Sequence, residues 1–285
     1  MSDSGQDPVI SVLPATLAPM LAEPVEDEKA IKILEANTHR VEQKLDGVRL
    51  LVHVQDGKTY GINRKGARTI VHPLIAKGFV RCTGEWVFDG ELVGGIYWVF
   101  DMPAANGIVV PTMEYGVRRQ VLDSLWPKLE MPDTVQLLPS YQGTPGLDLA
   151  IKVRKSGGEG LMLKDPSAPY RWGKRTLGVL KFKFWKTLDC MVIEPWREGK
   201  ASVSVGLIDQ DTAEIIDIGS VKMTEANLNA IEQGDVVEVR YLYANDPAEP
   251  RLYQPDFLRL RTDKALEECT LDQLDFTNKT VIKED

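Results

Sequence analysis

Apolar and polar positions alternate with a period of two along much of this chain, and that period predicts β-strands. From about Val41 the segment HRVEQKLDGVRLLVHVQDGKTYGINRKG is Val-rich and alternating, with a turn at Gln55-Asp56-Gly57. A second strand pair is predicted in GEWVFDGELVGGIYWVFDM, divided at Gly94-Gly95. The period then changes. Met113 to Glu130 places Tyr115, Val117, Val121, Leu122, Leu125 and Leu129 at helical spacing, with an interruption near Pro127. Leu147 to Lys155 reads as a helix stopped by Gly157-Gly158. GLMLKD and GVLKFKFW are short strands, and the Pro-rich, acidic first 30 residues end where a short helix begins.

A boundary is expected near Lys186-Thr187. Beyond it CMVIEPW, SVSVGLID, EIIDIGSVKM and DVVEVRYLY are four strand-like runs. One helix interrupts them, with Thr224 as N-cap and Gly234 as its stop. Short strands around a single helix suit a Greek-key barrel of the oligonucleotide-binding kind. The tail from Asp263 is acidic and helix-prone. These runs define an α+β chain with two domains, 1–187 and 188–285.

Length supports that division, since 285 residues are many for one core. No apolar run approaches the roughly 18 residues of a membrane helix. The start, MSDSGQDPVI, carries acids where a secretory signal has bases. Cys82, Cys190 and Cys269 are too scattered for a zinc knuckle or a disulfide framework. A cytoplasmic protein is expected. The net charge of −8 discourages a polyanion-binding reading until its distribution is considered. Between Ile151 and Lys186 ten basic residues face only Glu159 and Asp165, a local +8 that leaves −16 on the rest. Such a segment can hold a polyanion locally; it is equally compatible with a solvated face.

Candidate chemistry begins at Lys44-Leu45-Asp46-Gly47. A nucleophilic lysine must be neutral, which requires burial, a metal or neighbouring cations to lower its pKa from about 10.4. A solvated strand lysine before an Asp-Gly turn has the same sequence. In Leu180-Lys181-Phe182-Lys183-Phe184, alternation puts both lysines on one face. An anion between them relieves their repulsion, although an edge strand guarded by lysines fits too. Glu91 in D-G-E-L and Glu159 in G-E-G-L-M stand beside glycines, where a ligand can approach backbone. They suit a ribose hydroxyl or a Mg²⁺ shell, or are simple turn acids.

Taken in order, K-L-D-G, N-R-K-G, D-G-E-L, V-F-D, E-G-L-M-L-K and L-K-F-K resemble the covalent nucleotidyltransferases, specifically the ATP-dependent DNA ligases of the small bacterial and phage type. The resemblance runs from about Glu42 to Lys264. It implies an antiparallel-sheet adenylation (nucleotidyltransferase) domain followed by an oligonucleotide-binding (OB-fold) barrel, with ATP and Mg²⁺ (or Mn²⁺) as cofactors and nicked double-stranded DNA as partner. It also implies the roles. Lys44 attacks the α-phosphorus of ATP and forms a lysyl-adenylate. Glu42 and Gln43 lie near the adenine edge, and Arg49 joins the nucleotide-binding set. Arg64 meets the ribose and later the DNA 5′-phosphate. Glu91 holds a ribose hydroxyl, Phe100 stacks on adenine and Met162 covers its other face. Asp46 and Glu159 handle metal, and Lys181 and Lys183 grip the α-phosphate. Arg259, Arg261, Asp263 and Lys264 orient the departing pyrophosphate.

The same resemblance makes Lys186-Thr187 the expected hinge and a monomer the expected form. It leaves no room for the extra N-terminal DNA-binding domain of larger ligases, and the missing four-cysteine module speaks against the NAD⁺-dependent relatives. The rivals are an mRNA-capping guanylyltransferase, which shares K-x-D-G and an R-x-D-K ending, an RNA ligase, and a non-catalytic OB-fold nucleic-acid-binding protein.

Overall fold

A computed structural model describes residues 13–106, 108, 111–194, 201–276 and 281–282. Two compact units emerge, and they are not two consecutive stretches. The first comprises Met1–Val153, Gly160–Phe182 and Val281–Asp285; the second comprises Arg154–Glu159 and Lys183–Thr280.

The first unit holds β1 (Leu21–Pro24), α1 (Asp27–Ala36), β2 (Arg40–Gln43), β3 (Val48–Gln55), β4 (Lys58–Asn63), β5 (Arg68–Thr69), α2 (Pro73–Ala76), β6 (Glu85–Val93), β7 (Ile96–Ala105), α3 (Tyr115–Leu129), β8 (Val135–Leu137), most of α4 (Thr144–Lys155), β9 (Gly160–Lys164) and β10 (Arg175–Lys183). They form two sheets, ordered β5-β4-β3-β6-β7-β8 and β1-β10-β9-β2. Not all pairing is antiparallel: β8 joins β7 and β1 joins β10 in parallel, each at the edge of its sheet. The chain reaches β8 from β7 through the crossover helix α3, which delivers a parallel strand.

Period-two patterning decides the faces of the larger sheet. Leu50, Val52 and Val54 on β3 pack with Phe88, Tyr97 and Val99 against Ile75, Phe79 and Leu122 from the helical side. Each such buried side chain contributes roughly 1.5–3 kcal/mol relative to exposure. Leu51 points the other way, into a cluster with Leu17, Ile62, Val87 and Ala104. Both expected hairpin turns are two-residue loops. Asp56 and Gly57 (φ 48° and 76°) join β3 to β4, and Gly94 and Gly95 (φ 56° and 84°) join β6 to β7. Two consecutive positive φ values match strand twist, which is why glycine recurs there. Helix α3 runs through Pro127 to Leu129 rather than breaking. Proline so near a C-terminus removes only one of the last intrahelical bonds.

The second unit is built on a closed barrel of β11 (Lys186–Glu194), β12 (Ser202–Ile208), β13 (Ile215–Lys222), β14 (Val236–Tyr241) and β17 (Asp256–Leu260), with α5 (Glu225–Ala230) and the small pair β15 (Tyr243–Ala244) and β16 (Leu252–Tyr253). Val192, Val205, Leu207, Ile218, Val221, Val237 and Val239 fill its core. The fifth barrel strand lies in the F-L-R-L segment, which the sequence pattern does not mark as a strand. Leu258 and Leu260 are both exposed there, so no alternation betrays it. Thr224 caps α5 by accepting from the Asn227 N–H at 3.4 Å. The helix stops at Ala230, before Gly234, because Ile231 turns extended to enter the barrel core. Among the described residues of the acidic tail, the helical segments are short 3-10 turns at Leu266–Glu268 and Leu271–Gln273. Lys186 and Thr187, expected as a hinge, lie inside β11 and pair with Tyr241 and Arg240. The link between β10 and β11 is Phe184-Trp185.

Candidate active site

Lys44 follows directly on β2, and its backbone N–H donates to the Gly160 carbonyl at 2.8 Å. That bond sets K-L-D-G against the start of β9 and hence against E-G-L-M-L-K. The half-buried Lys44 ammonium reaches the Leu45 carbonyl only at 3.5 Å, too long for a firm hydrogen bond. Half-buried Asp46 follows, and Gly47 completes the turn in a space that admits no side chain. A Cβ there would lie 2.3 Å from the Leu92 carbonyl oxygen and 2.7 Å from a Val93 methyl.

Strand register brings two further expected residues, Arg49 and Glu91, into one row with Trp98. Arg49 faces Glu91 across β3–β6, and Glu91 faces Trp98 across β6–β7; directly opposed residues share a face. Arg49 donates to both Asp89 oxygens at 2.7 Å, and the Tyr170 hydroxyl donates to Asp89 Oδ2 at 2.6 Å. Burial works against the Arg49 charge, but the Asp89 pair outweighs it and holds the guanidinium above its ordinary pKa. Arg49 also lies 4.4 Å from the Phe100 ring centroid. The Phe100 ring, 7% exposed, packs with Leu45, Trp98 and Leu138. With the Lys164 ammonium also 4.5 Å from its centroid, the ring has little exposed face.

On the smaller sheet Glu42 opposes Met162 across β2–β9, and Arg40 opposes Lys164. Glu42 is buried and accepts a short hydrogen bond from the Tyr115 hydroxyl. Its other oxygen is 2.6 Å from Lys164 Nζ, and Arg119 Nη1 lies 3.6 Å from the oxygen that Tyr115 bonds. The carboxylate that the sequence sends to the adenine edge is thus held inside the protein by three side chains. Gln43 is also buried, and its Oε1 accepts from the Ile282 N–H at 2.8 Å. Behind this group Arg118 grips Asp101 through two bonds of 3.0 and 2.8 Å. Burial would raise the Asp101 carboxyl, but Arg118 brings it below the usual range. Burial also lowers the Lys164 ammonium, against the pull of Glu42.

Met162 is half-buried near Met20, Tyr170 and Val179. Lys181 is half-buried on β10, where its carbonyl accepts from Val25 at 3.2 Å. Arg64 stands exposed on the N-R-K-G turn, which the Asn63 side chain organises by accepting from the Lys65 and Ala67 N–H groups.

The remaining expected residues belong to the second unit. Glu159 is buried, and its carbonyl accepts from Phe184 at 3.0 Å. Lys183 donates to Gln254 Oε1 and lies 4.8 Å from the Trp185 ring, which Arg240 meets at the same distance. Arg259 pairs with Glu238 at 2.6 Å and Lys264 with Glu268 at 2.5 Å. Arg261 bonds Asp189 at 2.8 Å and Asp263 at 2.8 and 2.9 Å. Its hydrogen bonds hold the Asp263 carboxyl down at about 2. Each cation that the resemblance assigns to pyrophosphate therefore has a carboxylate partner here.

Among the described residues no group of three or more His, Cys, Asp or Glu side chains is placed to hold a metal ion. The chemistry of the expected donors still fits Mg²⁺, which keeps most of its waters and takes one or two protein oxygens.

Sequence reasoning did not single out Asp89, Asp101, Tyr115, Arg118, Arg119 or Lys164 as members of this site. A signal was present. Asp101 interrupts the apolar run IYWVFDMPAA, and Arg118-Arg119 sit on a helix beside buried Tyr115 and Leu122. A charge inside an apolar pattern must find a partner.

With this geometry in view, the chain can be placed among known proteins. Residues 19–96 and 94–183 match the family model described as ATP dependent DNA ligase domain. The chain belongs to the ATP-dependent DNA ligase domain family. It is 30% identical over 215 residues to the multifunctional non-homologous end joining protein LigD of Mycobacterium bovis, covering 67% of this chain and 27% of that protein. It is 34% identical over 140 residues to a probable DNA ligase of Mycolicibacterium paratuberculosis, covering 46% and 26%. The chain thus spans about a quarter of the length of these relatives. Among solved structures, a mycobacterial DNA ligase D complexed with ATP and MES shares the fold at 24% identity (TM-score 0.53; 89% of this chain, 98% of that one). A Lig E DNA ligase does so at 19% identity (TM-score 0.63; 86% and 99%).

Proposed function

We propose that this chain is an ATP-dependent DNA ligase that seals 3′-OH/5′-phosphate nicks in duplex DNA through a lysyl-AMP intermediate. The observation that carries the reading is the convergence of motifs far apart in sequence. Lys44 is tied to Gly160, Glu42 to Lys164, Lys164 to Phe100, and Arg49 is registered against Glu91.

In the first step the neutral Lys44 amine attacks the α-phosphorus of ATP. The bond to the bridging oxygen breaks, pyrophosphate leaves, and the nitrogen loses its proton as the phosphoramidate forms. Lys181 and Lys183 draw charge from the α-phosphate oxygens, and Arg259, Arg261 and Lys264 orient the departing pyrophosphate. Glu91 holds a ribose hydroxyl. Phe100 supports the base and Met162 covers it. In the second step a 5′-phosphate oxygen of the nick attacks the same phosphorus, the P–N bond breaks and Lys44 is freed; Arg64 passes from ribose to that phosphate. In the third step the adjacent 3′-OH attacks the DNA 5′-phosphorus and AMP leaves. Asp46 and Glu159 would hold Mg²⁺ (or Mn²⁺), whose chemistry is to neutralise charge on phosphate oxygens. In this reading the first unit serves as the adenylation domain expected at 1–187, and the barrel, whose first strand begins at Lys186 rather than after 187, has the OB-fold role against DNA. The enzyme acts as a cytoplasmic monomer.

The test is incubation with ATP, GTP or NAD⁺ labelled on the AMP or GMP phosphorus, with Mg²⁺. An acid-labile label from ATP, abolished in Lys44→Ala, followed by joining of nicked duplex DNA, is expected. Labelling by GTP alone indicates capping instead, joining of nicked RNA alone an RNA ligase, and no covalent label a non-catalytic binding protein.

A further inference from the structure

The two side chains that flank Lys44 are both buried, Gln43 at 5% and Leu45 at 7% exposure. One short stretch from far along the chain engages both. The Ile282 N–H donates to Gln43 Oε1 at 2.8 Å, and Val281 packs against the cluster of Leu45, Trp98, Phe100 and Leu138. Val281 and Ile282 are themselves half-buried. They belong to the first unit, although the barrel strands precede them in sequence. They are an isolated apolar pair, preceded by Asn-Lys-Thr and followed by Lys-Glu-Asp. Apolar side chains in so polar a stretch gain from burial only where a neighbour covers them.

What the pair presents resembles, chemically, the base end of ATP. It offers one N–H donor to an amide oxygen and an apolar body to an aromatic cluster. Adenine offers an amino N–H and an apolar ring. We propose that Val281-Ile282 is an intrasteric inhibitor of nucleotide capture, a piece of the chain's own backbone that docks beside the nucleophile and competes with ATP. The inference goes beyond the sealing chemistry but rests on the ligase reading, because it takes Lys44, Gln43 and Phe100 as parts of the nucleotide site.

One hydrogen bond and one packed valine make a weak lock, which ATP can displace. A competitor inside the same chain lowers the apparent affinity for ATP by the fraction of molecules in which the site is open. It does not change how fast a captured ATP reacts. The effect therefore falls on KM and spares kcat.

The experiment measures lysyl-AMP formation against ATP concentration in the full chain and in two full-length variants. Ile282→Pro removes the N–H that Gln43 accepts, and Val281→Asp sets a charge against the apolar cluster. Thermal melting checks that each folds, and either one that melts cooperatively carries the test. The expected result is a KM for ATP lowered about fivefold, with a maximal rate within about twofold of the parent. A peptide with the sequence of residues 277–285, added to the folded variant, should raise KM again without slowing the maximal rate. The same peptide carrying Ile282→Pro should not. A parental KM in the folded variants overturns the inference. So does a raised KM, a slower maximal rate or failure of both variants to fold, each of which makes the stretch a supporting wall of the site. If no chain, parent or variant, accepts AMP from ATP, it is the ligase reading that has failed.

Discussion

At the scale of single residues, the charges inside the first unit carry the most consequence. Asp101 and Arg118 are both essentially without solvent contact and bond each other twice. Removing one partner leaves the other charge buried alone, which typically costs about 3–5 kcal/mol. Asp101→Asn is therefore expected to lower the midpoint of urea unfolding sharply at neutral pH. The pH dependence has a definite sign. The Asp101 carboxyl titrates below its ordinary value in the folded chain, so its contribution is complete above the unfolded pKa near 4 and is lost as pH falls through the folded value. The variant should show a shallower loss of stability than the parent on the acid side of pH 4. Parallel curves would place the acid-sensitive group elsewhere.

At the scale of elements, register and close approach do the positioning. Arg49, Glu91 and Trp98 form a row because β6 is the antiparallel neighbour of both β3 and β7, joined to β7 by a tight turn. Lys44 reaches the same region because the turn after β2 passes against the Leu92 backbone, where Gly47 leaves no room for a methyl group. Gly47→Ala must push that turn away from β6, at an expected cost of about 1–3 kcal/mol. Lowered thermal stability together with slower AMP uptake would register both effects. Normal uptake by a destabilised variant would separate the turn's structural role from its placement of Lys44. Much of this level was legible in the sequence. The hairpins at Asp56-Gly57 and Gly94-Gly95 follow from residues that tolerate positive φ, and α3 and α4 follow from helical spacing. The strand β17 was hidden because its alternate residues do not divide cleanly between core and solvent.

At the scale of the whole molecule, charge distribution governs the encounter with a polyanion. Arg171 and Lys174 are exposed in the basic stretch, just before β10. If this stretch is the DNA footprint, log affinity falls steeply with log salt. Arg171→Gln with Lys174→Gln should then reduce the slope by about 0.9 per lost phosphate contact. Fluorescence titration with nicked duplex across salt concentrations measures it. An unchanged slope would move the contact to another surface.

The sequence by itself determined the strand-rich class, the two tight hairpins and the order of the chemical motifs, because these depend on local periodicity, turn stereochemistry and residue identity. Only the tertiary structure decided which of those residues meet. It sent Glu42 inward to Lys164 and Tyr115, laid Arg49 over Phe100, and gave Arg259, Arg261 and Lys264 carboxylate partners. The reason is that a buried charge takes its partner from whatever strand the fold brings within about 3 Å, and sequence separation carries no record of that distance. Glu42 and Lys164 stand more than a hundred positions apart in the chain, and their side chains are 2.6 Å apart in space.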